Sequence, residues 1–146
     1  NAAGPARDER LQQYTVFRSR WEWQTGHQDR AYSRLNEMIS AATSRTGGAF
    51  RRLLLLRGTF HVERNAYGEA VADLEGAVSG LSEDLEILIP GHYGLFRACL
   101  GLGKFSTAKT HLDALRSAFV KHDVNRKFED WVKRAEAEFK ANWSGS

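Results

Sequence analysis

Three alanines spaced almost evenly along the chain constrain its fold more than any other feature. Gly26-His27-Gln28-Asp29-Arg30-Ala31, Asn65-Ala66-Tyr67-Gly68-Glu69-Ala70 and Gly103-Lys104-Phe105-Ser106-Thr107-Ala108 each run from a turn residue through four others to an alanine. Leu35, Leu74 and Leu112 follow those alanines by four residues, and Met38, Ala77 and Leu115 by seven. The alanines are 39 and 38 residues apart. A period of this size, with two helices per unit, marks a helical solenoid, because one helical pair cannot bury its apolar face alone.

The segments between these markers read as helices. Leu11, Tyr14, Phe17 or Arg18, and Trp21 fall at three- and four-residue spacings and predict an amphipathic helix over about 7–24. Thr25-Gly26 ends it, since glycine is favoured just past a helix C-terminus. A second helix is expected over 28–44 with Ala31, Leu35, Met38, Ile39 and Ala42 on one face, and a third over 49–64. The third is apolar around much of its circumference, as in the middle of a bundle. Tyr67 to Gly80 forms a fourth, whose stripe of Ala70, Leu74, Ala77 and Val78 is narrow enough for a close neighbour.

Ser82-Glu83-Asp84 reads as a helix start, and Pro90-Gly91 as an interruption, so a short turn before Pro90 and a new helix over 90–102 are expected. A sixth helix covers 105–121. Asp123 or Asn125 caps a seventh over about 126–142, with Phe128, Trp131, Val132, Ala135 and Phe139 on its apolar face. That helix is the natural cover for the C-terminal end. Trp21 and Trp23 project about 200° apart on a helix, so one belongs in the core and the other is an exposed anchor or packs against a neighbour N-terminal to it. No alternating strand pattern occurs, and the expected class is all-α.

Tyr67-x-Glu69-Ala70-x-x-x-Leu74-x-x-Ala77 and Gly103-Lys104-Phe105-x-x-Ala108-x-x-x-Leu112 resemble the turn and second helix of the tetratricopeptide repeat family. Gly58 sits where that family's first helix often carries a small residue. The resemblance covers roughly residues 12 to 118 and is weakest in the first unit. Its period here exceeds the family's 34 residues by four or five. Arg57 stands at a usually apolar position, and Phe96 at a usually small one. The resemblance implies about three antiparallel hairpins, over 7–44, 49–80 and 82–121, stacked as a right-handed superhelix with a capping helix over 125–142, in one domain spanning 1–146. It further implies a concave face built from the first helix of each pair. That face would hold Gln13, Phe17, Arg20, Arg52, Thr59, Glu63, Tyr93 and Arg97. Three arginines and two aromatics there suit a carboxylate or an acidic, partly extended peptide, by bidentate contacts and stacking.

Composition bounds the rest. At 42% hydrophobic and 27% charged, with two prolines in 146 residues, the chain folds into a globular domain. A net charge of +3 demands neither nucleic acid nor an acidic partner. Cys99 stands alone, so no internal disulfide forms. A reducing, cytoplasmic setting is expected, with a periplasmic one open if a signal peptide was removed. No apolar run is long enough to span a membrane. Asn1-Ala2-Ala3 reads as the remnant of a cleaved tag, and Ser144-Gly145-Ser146 as an unstructured tail.

Little here points to chemistry. His27, His61, His92, His111 and His122 are scattered without metal-ligand spacing, so no metal, cofactor or catalytic residue is expected. His92 lies two turns from Cys99, too far to serve it as a base. Gly101-Leu102-Gly103-Lys104 lacks the length to wrap a phosphate, and Glu83-Asp84 and Glu129-Asp130 fit helix first turns. A non-catalytic protein- or peptide-binding scaffold is the expectation. The rival is a nucleic-acid-associated or regulatory domain using Arg7, Arg10, Arg18, Arg20, Arg51, Arg52, Arg126 and Lys127.

Overall fold

The computed structural model describes residues 3–42, 45, 47–79, 84–122 and 128–143, with side chains for 7–42, 45, 47–79, 84–121 and 128–142. The described residues form α1 (Ala3–Gln24), α2 (Gln28–Ala41), α3 (Gly48–Glu63), α4 (Tyr67–Val78), α5 (Leu85–Gly101), α6 (Phe105–His122) and α7 (Glu129–Trp143). No strand occurs among them, and the class is all-α. The odd-numbered helices touch in series, α1 to α3 to α5 to α7. Each even helix lies against two odd ones, and no two even helices touch among the described residues.

The three sequence markers become one local structure built three times. Gly26, Asn65 and Gly103 adopt left-handed φ values of 90°, 62° and 73°, each five residues before a marker alanine. The residue after each donates its N–H back five positions: His27 to Glu22 O at 2.8 Å, Ala66 to His61 O at 2.8 Å, and Lys104 to Cys99 O at 2.9 Å. Gly26, Asn65 and Gly103 themselves donate to Trp23, Val62 and Leu100. This pairing satisfies the last carbonyls of α1, α3 and α5 and reverses the chain into the next helix. Asparagine serves in the second copy because it tolerates the left-handed region better than other side chains. Ala31, Ala70 and Ala108 are all fully buried, as are Leu35 and Leu74, with Leu112 at 1% exposure.

The middle hairpin is seated by glycines on both sides. A Cβ at Gly58 of α3 would lie 2.6 Å from Leu74, and one at Gly94 of α5 would lie 2.8 Å from the same side chain. Leu74 thus projects from α4 into the close approach of two neighbouring helices. Gly91 against Val78 and Gly101 against Tyr67 extend the α5 seam. Small residues set the distance, and the α4 stripe supplies the knobs rather than the holes.

Phe96 fills a different need. Wholly buried, it lies 6.3 Å from Phe139 of α7 and 6.4 Å from Tyr93, occupying space that opens where α7 joins α5 and α6. Arg57, at the other unusual position, donates to both carboxylate oxygens of Asp73 at 2.7 Å and to Asn36 Oδ1 at 3.0 Å. A planar guanidinium with two paired acceptors is tolerated where an unpaired charge would not be.

Two expectations are corrected. The helix does not restart at Pro90: α5 runs unbroken from Leu85, with Pro90 inside it. Proline there forfeits a bond to the Glu86 carbonyl in the exposed first turn, while buried Ile87 and Ile89 before it and buried Tyr93 after it hold the helix in the core. Asp84 caps the start by accepting from Glu86 N–H at 3.0 Å. Ser82, Glu83, Asp123 and Asn125 lie outside the described residues.

The second correction concerns α1. Leu11, Tyr14, Phe17 and Trp21, the predicted apolar stripe, are exposed at 45%, 56%, 71% and 47%. The helix instead buries Gln12, Thr15, Ser19 and Glu22, one residue further round, with Val16 and Trp23 beside them. Two anchors fix this rotation. Trp23 stacks on Phe60 at 3.8 Å and donates its indole N–H to Glu63. Glu22 meets Arg34 of α2 at 2.7 Å, with Arg30 and Arg18 at 3.9 and 4.0 Å. Trp23 is thus the core tryptophan and Trp21 the exposed one.

Candidate functional site

A recess of about 190 Å³ opens between α3, α5 and α7, and four of the eight expected groove residues line it. They are Thr59 and Glu63 from α3 and Tyr93 and Arg97 from α5, joined by Trp131 and Arg134 from α7. The repeat explains their convergence. Thr59 and Arg97 each stand eleven residues before a marker alanine, so they hold equivalent positions on adjacent odd helices. Pro90 and Gly94 keep the α5 floor low between them.

The aromatic side of the recess is rigidly supported. Tyr93 Oη donates to Glu138 Oε1 at 2.6 Å, and Trp131 meets the Tyr93 ring edge-on at 5.1 Å. Arg97 Nε lies 3.8 Å from Glu138 Oε2, and its guanidinium carbon sits 5.9 Å from the Tyr93 ring centre. Burial, reinforced by the Glu138 bond, pushes the Tyr93 phenol up to about 12, so it remains a protonated donor. On the opposite wall Glu63 accepts from Trp23, and the Thr59 hydroxyl donates to Leu55 O at 2.8 Å. The lining thus presents the Arg134 guanidinium, the Arg97 guanidinium paired with Glu138, two aromatic rings, and a Glu63 carboxylate already bonded to Trp23. Such a set holds a ligand by charge and stacking.

The other four expected residues are not gathered here. Gln13 bonds to Glu9 on its own helix at 3.4 Å, and Phe17 and Arg20 are exposed on α1. Arg20 also stands eleven residues before its alanine, but the recess begins at α3. Arg52 is drawn away by Asp84 at 2.7 Å and Glu86 at 3.6 Å. Trp131 and Arg134 were missed as lining residues because the seventh helix was read only as a cover. The contact of α7 with α5 makes it the next member of the odd series.

Elsewhere, titratable groups meet in pairs. His92 and His111 face each other with their Nδ1 atoms 3.2 Å apart across α5 and α6, a proximity that chain spacing concealed. Burial, with the neighbouring His111 adding to it, lowers the His92 imidazole to about 4, and burial lowers His111 as well. His61 lies 3.3 Å from Glu69 and 3.5 Å from Asp73, on the α4 side of α3. Among the described residues no group of three metal-ligating side chains forms. Burial raises the Cys99 thiol, which disfavours the nucleophilic thiolate.

The basic residues of the rival reading are divided: Arg7, Arg10, Arg18 and Arg20 lie on α1, Arg51 and Arg52 on α3, and Arg126 and Lys127 outside the described residues. No described helix is long and apolar enough to cross a membrane. Compared with family models, curated proteins and solved structures, the chain gives no significant match.

Proposed function

We propose that this chain is a non-catalytic scaffold of tetratricopeptide-like hairpins, binding an acidic, partly extended peptide of another protein along its odd helices. The observation that carries the reading is the recess itself. Three successive helices of one layer each contribute a polar or aromatic side chain to it, as a concave groove requires. A peptide carboxylate would meet Arg97 and Arg134, while apolar peptide groups lie against Tyr93 and Trp131. The free, buried Cys99 fits a cytoplasmic setting.

Selection of a displayed random-peptide library against the whole chain tests this. Enriched peptides should be acidic, and they should lose about tenfold or more in affinity for Arg97→Glu with Arg134→Glu. Selected peptides that bind the double variant undiminished would sink the groove reading. A salt titration separates the nucleic-acid alternative, whose affinity for a duplex would fall far more steeply with ionic strength.

A further inference from the structure

The outward face of α1 is apolar and cationic, while its inward face mixes Gln12, Thr15, Ser19 and Glu22 with Val16 and Trp23. Leu11, Tyr14, Phe17 and Trp21 are exposed at 45–71% and recur every three or four residues, so they form one ridge. Arg7, Arg10 and Arg18 fall on that same face, and Arg18 lies over Trp21 at 4.9 Å. No acidic residue shares the ridge: Asp8 and Glu9 fall off it by helical phase, and Glu22 is wholly buried. Three guanidinium groups surround that one carboxylate, which leaves positive charge in excess where α1 meets α2.

Beside the ridge, α1 and α2 enclose a trough of about 370 Å³, floored by Leu11, Tyr14, Met38 and Ala41. Arg34 and Glu37 stand on its α2 wall. The α1–α2 pair already packs one helix, α3, against its other side. Two helices with an apolar trough between them offer the groove into which a third helix lays its apolar face.

We infer that this N-terminal face docks an amphipathic helix of another protein whose apolar stripe is flanked by glutamate or aspartate. Its apolar residues cover the Leu11, Tyr14, Phe17 and Trp21 ridge, and its carboxylates pair with Arg7, Arg10 and Arg18. The site is separate from the α3–α5–α7 recess, and neither requires the other.

Two synthetic amphipathic helices of about five turns, identical in their leucine stripe and flanked by glutamate in one and lysine in the other, provide the test. Anisotropy titrations use the whole chain, its Phe17→Ser with Trp21→Ser variant, and Arg97→Glu. The glutamate peptide should bind wild type and Arg97→Glu alike. It should bind at least about tenfold more weakly to the serine variant, and the lysine peptide should bind wild type equally weakly. Both serines replace exposed residues, so an unchanged thermal melt will show that the variant is folded. Equal binding of the two peptides, or undiminished binding to the serine variant, overturns the inference. So does tighter binding of phosphatidylserine vesicles or an oligothymidylate than of the glutamate peptide. Self-association that the serine variant abolishes also overturns it, by making a second copy the occupant.

Discussion

The first and last hairpins share a backbone and an alanine–leucine seam and differ at three matched positions they enclose. Counting back from Ala31 and from Ala108, Gln12 corresponds to Ile89, Ser19 to Phe96, and Glu22 to Cys99. All six are at most 2% exposed. At the N-terminal end the enclosed groups are polar, and Ser19 Oγ and Glu22 Oε2 lack hydrogen-bond partners. At the C-terminal end they are apolar and joined by Phe128, just before the covering helix, and Val132 on it. The outer surfaces are reversed accordingly, with aromatics facing outward on α1 and a mixed-charge exterior on α7. The left-handed turn and the alanine–leucine seam are what the two hairpins have in common. What fills the remaining positions sets how strongly it holds, and whether it leaves an adhesive face.

Single changes at matched positions probe that contrast. Phe96→Ala should cost the most, about 3 to 5 kcal/mol in urea unfolding, since a wholly buried ring leaves a cavity between three helices. A loss below that of Glu22→Gln would mean the last hairpin is not the better-packed one. Acid should weaken the same end next. The unfolded His92 binds a proton near pH 6.5 and the folded one only near 4, so stability is lost as pH falls through that window. The loss reaches at most about 3 kcal/mol, and His92→Leu should flatten the slope between pH 6.5 and 4.5. The Arg34 hydrogen bond, more than its charge, holds Glu22 below the usual carboxylate range, so its contribution fades only below about pH 4.5.

Glu22→Gln at neutral pH should cost about 2 kcal/mol, because Arg34 loses its charged acceptor but is still partly hydrated. Ser19→Ala should change stability by less than about 0.5 kcal/mol, or raise it, since the hydroxyl lost has no partner to leave behind. A cost above about 1 kcal/mol at Ser19 would show that its hydroxyl is bonded after all.

The hairpin architecture was legible because glycine, asparagine and alanine at fixed spacing leave few backbone choices. Thr59, Glu63, Tyr93 and Arg97 were legible for the same reason, the repeat having fixed which side of α3 and α5 they share. Arg52 was not, because its choice of Asp84 depends on where α5 begins. The rotation of α1 was illegible for a stronger reason. Hydrophobic spacing favours Leu11, Tyr14 and Trp21 as the buried stripe, whereas Trp23 on Phe60 and Glu22 among arginines are tertiary contacts between distant residues. His92 and His111 are nineteen positions apart, and only the pairing of α5 with α6 makes them neighbours.

Among the described residues, no helix touches any other more than two places along the chain. The molecule is in that sense a string of links rather than a knot. Pulled from its two ends, it would yield one hairpin after another from whichever end gave way first, each released pair baring the apolar face of the next. The N-terminal link, which adds buried Gln12, Ser19 and Glu22 to its apolar seam and its Trp23–Phe60 stack, is where such peeling would begin.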